Sequence, residues 1–364
     1  MKEIEKIIRG YEATDWTKER TALATVVVVE ESAYRRIGAR MYVSSTGQWI
    51  GGISGGCLEG DALKKAKLAI MNNRPSVVVY DTMEDDAHQI GVGLGCNGRI
   101  EVLFTPIDPS DKNNPIALLK KIKDLRTPTI LLQTIETKAS ENLGLIYTAA
   151  NQVELTKRLD LSADFLALAI AKAEDRKKSQ IVTTSAGERI LIEWLRPNLK
   201  LILIGDNYDV NAFVEMAGVL GWEIYVAGKK QKLSRSIFEK AKQVYSYESV
   251  RQLTTDAYTA VILMSHDYKT DLELLQFYVP LSVPYIGLLG PKKRMEKMQD
   301  ELEKNDIALA LHKMTTLFSP VGLDIGAESP EEIALSIAAE IVAVFRERDG
   351  GSLREREGPI HLRD

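Results

Sequence analysis

LKLILIGDNYDVNAFVEMAGVLGWEIYVAG, residues 199–228, reads as strand, turn, helix and strand. An apolar strand that passes through a glycine turn into a helix and returns as a second apolar strand opens a βαβ unit. Such units wind into parallel sheets with helices on both faces. Two further apolar stretches, AYTAVILMSHD and VPYIGLLG, each run into helical pattern, TDLELLQFYV and PKKRMEKMQDELEK. A doubly wound, Rossmann-like parallel sheet is therefore predicted for residues 197–364, with Pro197-Asn198 as its boundary. Near the end, ESPEEIALSIAAEIVAVFRER predicts a well-marked helix: Ser329 is the N-cap, Pro330 lies in the first turn and Glu332 completes a capping box.

Upstream the pattern changes. From Thr21, TALATVVVVEESAYRRIGARMYVSSTGQWIGGIS reads as a β-branched strand, a basic turn, and a hairpin turning at Ser45-Thr46-Gly47-Gln48. LEGDALKKAKLAIMNN predicts a helix beginning near Cys57, with Leu58, Leu63, Ala66 and Ile70 at helical spacing. SVVVYD and the stretch after Arg99 predict more strands, and residues 111–196 alternate helices, strands and a hairpin turning at Ala186-Gly187. Residues 1–196 are thus expected to form a mixed α+β domain, giving an α/β protein of two domains.

Composition narrows the function classes. A formal charge of −4 over 364 residues offers no basic field for nucleic acid. The longest apolar runs, such as VVVV at 26–29, are strand-sized, so no membrane span or signal peptide is expected and the chain is assigned to the cytoplasm. Two cysteines, Cys57 and Cys96, cannot build a disulfide framework or supply four zinc ligands, and in a reducing compartment they are free thiols.

Both cysteines sit among glycines. In GGISGGCLEG, Gly55, Gly56 and Cys57 lead into a helix whose first-turn amides and dipole favour an anion. A thiolate there suits a ligand carrying phosphate together with sulfur or metal; alternatively, the glycines serve only tight packing of hairpin on helix. Cys96 in GLGCNG repeats the theme more weakly. The turn GDNYDV occupies the place of a dinucleotide fingerprint but keeps only its first glycine, Gly205, with Asn207 and Val210 at the other two positions. Asp206 and Asp209 add negative charge there, and the second strand ends in Val226-Ala227-Gly228-Lys229-Lys230 without the acid that would hold a ribose. These features argue against NAD or NADP. Ser265, His266 and Asp267 follow a parallel strand, at the end where such sheets place ligands. Lys292, Lys293 and Arg294 open a helix after Gly290-Pro291 and form either a phosphate clamp or a solvated basic face.

Taken in order, GGISGGCLEG, GLGCNGRIEVLF, MSHDYKTDLELL, YIGLLGPKKR, PVGLDIGAESPEEIALSIAAEI and the terminal GPIH resemble the XdhC/CoxI family, from about Tyr34 to His361. The resemblance implies an accessory factor for molybdenum hydroxylases such as xanthine dehydrogenase, one that binds the molybdenum cofactor (molybdopterin), supports its sulfuration and delivers it. It implies Gly55, Gly56, Cys57 and Glu59 as one motif, Cys96 in a second, and His266 and Asp267 at the cleft; the thiol chemistry of Cys57 leads to the expectation that it lies close to the metal or its sulfur. The implied partners are the target enzyme and a cysteine desulfurase as sulfur donor, and a homodimer is left open. Family members usually carry a GAGHVG-like run where this chain has GDNYDV. A molybdenum hydroxylase of that class holds two 2Fe–2S clusters on cysteines, so a chain with two cysteines is not itself that enzyme. The competing classes are a Rossmann oxidoreductase, which GDNYDV opposes, and an interaction scaffold without cofactor.

Overall fold

The computed structural model describes residues 2–31, 34–81 and 98–357. The chain divides into two compact units, Met1–Pro197 and Asn198–Asp364. Cys96, in the second glycine-rich turn, lies outside the described residues, as does the terminal GPIH.

The first unit begins with helix α1 (Lys2–Ala13), then β1 (Thr21–Glu31), β2 (Arg40–Ser44), β3 (Trp49–Gly51), α2 (Glu59–Asn72), β4 (Ser76–Asp81) and β5 (Gly98–Ile107). These strands form an antiparallel sheet ordered β3-β2-β1-β5-β4. The β2–β3 hairpin turns at Gly47, whose φ of +96° suits glycine. Helix α2 buries Ala62, Ala66 and Ala69 against this sheet, while Leu63 and Ile70 are only partly covered. The small alanines let the helix axis approach the strands. Next come α3 (Pro115–Ile122), β6 (Thr129–Glu136), β7 (Ile146–Thr148), α4 (Gln152–Arg158), α5 (Ala163–Arg176), β8 (Gln180–Thr183) and β9 (Arg189–Leu195). They add a second antiparallel sheet, β7-β6-β9-β8. Val27, Val28 and Leu103 of the first sheet join Ile135 and Leu191 of the second in one apolar layer. Within unit one, Arg40 and Glu193 form an ion pair at 2.5 Å with both side chains buried.

The second unit is β10 (Lys200–Ile204), α6 (Tyr208–Leu220), β11 (Glu223–Ala227), α7 (Arg235–Lys240), β12 (Gln243–Tyr245), β13 (Thr259–Leu263), α8 (Tyr268–Tyr278), β14 (Tyr285–Leu288), α9 (Lys292–Lys304), β15 (Leu317–Phe318) and α10 (Pro330–Phe345). All six strands are parallel, in the order β12-β11-β10-β13-β14-β15. This is the dinucleotide-fold order, with the first strand central and the direction of winding reversing between β10 and β13. Helices α6 and α10 cover one face through Val210, Phe213, Val214, Ile337 and Ile341. Helices α8 and α9 cover the other through Leu272, Leu275, Met298 and Leu302. The capping box of α10 forms as the sequence predicts, Ser329 taking the Glu332 amide and Glu332 the Ser329 amide. The two- and three-residue edge strands β12 and β15 carry too few apolar residues to announce themselves.

Candidate functional site

In the first unit the loop between β3 and α2 presents the glycine-cysteine motif. Gly55, Gly56 and Cys57 are exposed, and Cys57 stands immediately before Leu58, the residue that caps α2. Gly56 has φ +114° and open space where a side chain would stand. A Cβ on Gly55 would lie 3.4 Å from the ring of the exposed Tyr34.

Glu59 and Ser54 fix this loop. The Glu59 carboxylate accepts the amides of Ile53 at 3.1 Å and Ser54 at 2.8 Å, and also takes the Ser54 hydroxyl hydrogen. Ser54 Oγ in turn accepts the amides of Gly56 at 3.2 Å and Leu58 at 3.0 Å. Burial alone would raise the Glu59 carboxyl, but the Ser54 hydroxyl and the surrounding amides outweigh it and hold it below the ordinary carboxylate range. Two of the amides predicted to face an anion are therefore already satisfied inside the loop. Those of Gly55 and Cys57 have no acceptor among the described residues. The sequence places the cysteine; the brace shows only as a serine and a glutamate five residues apart.

In the second unit the loops at the carboxyl ends of β10, β11, β13 and β14 form a connected rim. A Cβ on Gly205 would meet the Met264 carbonyl oxygen at 2.6 Å, and one on Gly228 the Gly205 oxygen at 2.8 Å, so these glycines let three strand ends close on one another. The altered fingerprint residues bridge the rim. Asp206 is buried and accepts the Lys229 amide at 3.0 Å and the Tyr247 hydroxyl at 2.9 Å, with Lys232 Nζ at 3.4 Å. Burial would raise its carboxyl, yet these three partners together hold it low. Asn207 Nδ2 donates to the Ser265 carbonyl at 2.8 Å. Asp209 Oδ2 lies 2.7 Å from His266 Nε2, across the point where the sheet reverses.

His266 is itself unusual. It is a non-glycine residue with φ +58°, and its side chain is 53% exposed. Asp267 caps α8, accepting the Thr270 amide at 2.7 Å, a bond that holds its carboxyl low. Ser265 Oγ donates to the buried Asp271, which also receives Arg294 Nη2 at 2.8 Å. Burial pushes the Asp271 carboxyl up, against the pull of Ser265 and Arg294. Arg294 is thus engaged by Asp271, while Lys292 and Lys293 are exposed and pair with no acid among the described residues. Pro291 caps α9 from outside rather than occupying its first turn. Sequence reasoning finds His266 and Asp267 but gives no sign of the bonds made by Asp271, one turn along α8, or by Tyr247, which reaches Asp206 from the loop after β12.

Among the described residues no group of three or more histidine, cysteine or acidic side chains could hold a metal ion. Nor is any helix there long and apolar enough to cross a membrane.

Comparison with known proteins accords with both halves. The family described as the XdhC and CoxI family matches residues 17–81, and that described as the XdhC Rossmann domain matches residues 201–341. A Bacillus subtilis protein described as a probable subunit of xanthine dehydrogenase is 28% identical over 332 residues, spanning 89% of this chain and 93% of the relative. The Escherichia coli molybdenum cofactor insertion chaperone PaoD is 23% identical over 326 residues, spanning 88% of this chain and 82% of PaoD. A Bacillus halodurans crystal structure described as a xanthine dehydrogenase superposes with a TM-score of 0.72 at 27% identity, covering 97% of this chain and 98% of that one.

Proposed function

The chain belongs to the XdhC and CoxI family, and from that premise we propose that it is an accessory factor for a xanthine dehydrogenase-type molybdenum hydroxylase, holding the molybdenum cofactor in transit and supporting its sulfuration. Its partners in this reading are the target hydroxylase and a cysteine desulfurase. The observation that carries the reading is the exposed Cys57 thiol on a loop made rigid by Ser54 and Glu59.

The residues present fit such a ligand. A thiolate is a soft donor of the kind molybdenum and sulfur centres accept. The open space at Gly56 admits a bulky group, and the amides of Gly55 and Cys57, which have no acceptor among the described residues, suit an oxyanion. When bound, the cofactor supplies a metal with its own pterin sulfur ligands, so a single protein thiolate suffices where no larger ligand cluster is described. Glu59 keeps the loop in place, and Cys57 presents its sulfur. The second unit, considered by itself, offers Lys292 and Lys293 as exposed cations that suit a phosphate, with His266 and Asp267 on the neighbouring loop. The alternative of an NAD(P) oxidoreductase is opposed by the way Asp206, Asn207 and Asp209 occupy the turn where a pyrophosphate would rest.

The test is cofactor retention. Protein purified from cofactor-producing cells is analysed by native mass spectrometry and molybdenum content, with Cys57→Ala beside the parent. Loss of bound cofactor in a variant that melts like the parent supports the reading, and equal retention overturns the thiolate's role. Lys292→Gln and Lys293→Gln should each weaken binding about two- to fivefold at low salt and less at moderate salt, as for exposed charges.

A further inference from the structure

The altered turn does more than block a pyrophosphate. His266 is fixed from two sides: its backbone sits between Ser265 and Asp267, where the Asp267 amide donates to Ser265 Oγ at 3.1 Å, and its ring is held through Nε2 by Asp209 at 2.7 Å. Ser265 is anchored in turn by Asp271, and its carbonyl by Asn207. A left-handed backbone at a non-glycine residue is a conformation that surrounding structure must enforce. Here the surroundings are these bonds. A carboxylate only accepts, so Nε2 is the ring nitrogen that donates in this pair, and in the neutral ring Nδ1 is then the nitrogen with the lone pair. Nδ1 has no partner among the described residues, and the side chain is half exposed at the sheet's reversal point, where folds of this kind take ligands.

We propose that this pair is a proton-accepting site in its own right: His266 Nδ1 removes the proton of a thiol-bearing ligand that enters the β10–β13 crevice, and Asp209 is the positioning residue that sets the ring's tautomer and balances the imidazolium that forms. The S–H bond breaks with its electron pair left on sulfur, and the proton moves to Nδ1. A thiol is the matching class because ordinary thiols ionise only about two pH units above imidazole, whereas alcohols lie far higher and carboxylic acids have already lost their proton. The choice of a thiol rests in part on the sulfur-handling role proposed above; the tautomer assignment does not.

Long-range proton–nitrogen NMR on the full chain, labelled with nitrogen-15 at histidine, tests both parts without any molybdenum cofactor. His266→Asn assigns the signal and tolerates the left-handed backbone. The expected parent spectrum, taken above the ordinary imidazole titration range, shows the Nε2–H tautomer. Asp209→Asn loses that preference and Asp209→Glu restores it in part. Dithiothreitol should shift the His266 signals toward imidazolium, while threitol, its hydroxyl analogue, leaves them unchanged. An Nδ1–H tautomer in the parent, or the same tautomer in parent and Asp209→Asn, overturns the site. Equal responses to dithiol and diol, or none to either, overturn the thiol assignment. Because cofactor retention by Cys57 is measured separately, failure of this site and failure of the proposed function are distinguishable.

Discussion

At the scale of single residues, the rim of the parallel sheet is held by charges that the sequence displays without their partners. Arg294 reads as one of three cations at a helix start, yet its nearest anion is Asp271, buried one helix earlier. Removing it should leave a carboxylate uncompensated in the interior. Arg294→Gln is expected to cost about 3 kcal/mol, the low end for a broken buried pair, because the arginine is still one-fifth exposed. Burial already raises the Asp271 carboxyl, so the folded state binds a proton there more readily than the unfolded chain. Stability lost in the variant should therefore return as pH falls, and urea midpoints at neutral and mildly acidic pH measure it. Asp206 behaves oppositely. Its carboxyl is held low, so its contribution is full above the unfolded carboxylate range and fades as pH drops through the lowered folded value. Asp206→Asn is expected to cost about 1–3 kcal/mol at neutral pH, through the lost Lys232 pairing and the weaker, uncharged acceptor left for the Lys229 amide, and correspondingly less in acid. Chemical denaturation of parent and variant at both pH values checks the sign.

Elements were far more legible than their partners. The strand-turn-helix-strand pattern of residues 199–228 is local, set by apolar spacing and a glycine, and it reappears as β10, α6 and β11. The α10 cap is equally local, since Ser329 and Glu332 lie one turn apart. Ser329→Ala should cost about 1 kcal/mol, seen as a modest fall in melting temperature. What sequence spacing could not supply is contact between elements: the stacking of two antiparallel sheets, the Asp209–His266 pair and the tie of Asp206 to the loop after β11 all join residues distant in the chain. Gly205 shows the difference. Read alone it is the remnant of a phosphate turn, but in the fold it is the only residue type that lets β10 and β13 meet so closely. Gly205→Ala should destabilise the second unit by about 1–3 kcal/mol, because backbone rather than a flexible side chain receives the new methyl. A melt as high as the parent's would show that the strand ends move apart freely.

For the whole molecule, each unit has its own apolar interior: the second places two clusters on opposite faces of its sheet, and the first layers two sheets and their helices. Residues 198–364 should therefore fold when expressed alone and give a cooperative melt, and a broad, non-cooperative transition would contradict that independence. The order of strands in this sheet also governs when it can form. The first strand to leave the ribosome, β10, lies in the middle, and one of its two neighbours, β13, begins 55 residues after β10 ends (Thr259 against Ile204). Until that segment emerges, β10 keeps one long apolar edge without a partner, and closing so distant a parallel pairing is slow. During synthesis the first unit has time to complete itself while the second is still an open, association-prone sheet. A nascent chain halted before Thr259 should accordingly recruit chaperones, and one extended past β14 should release them.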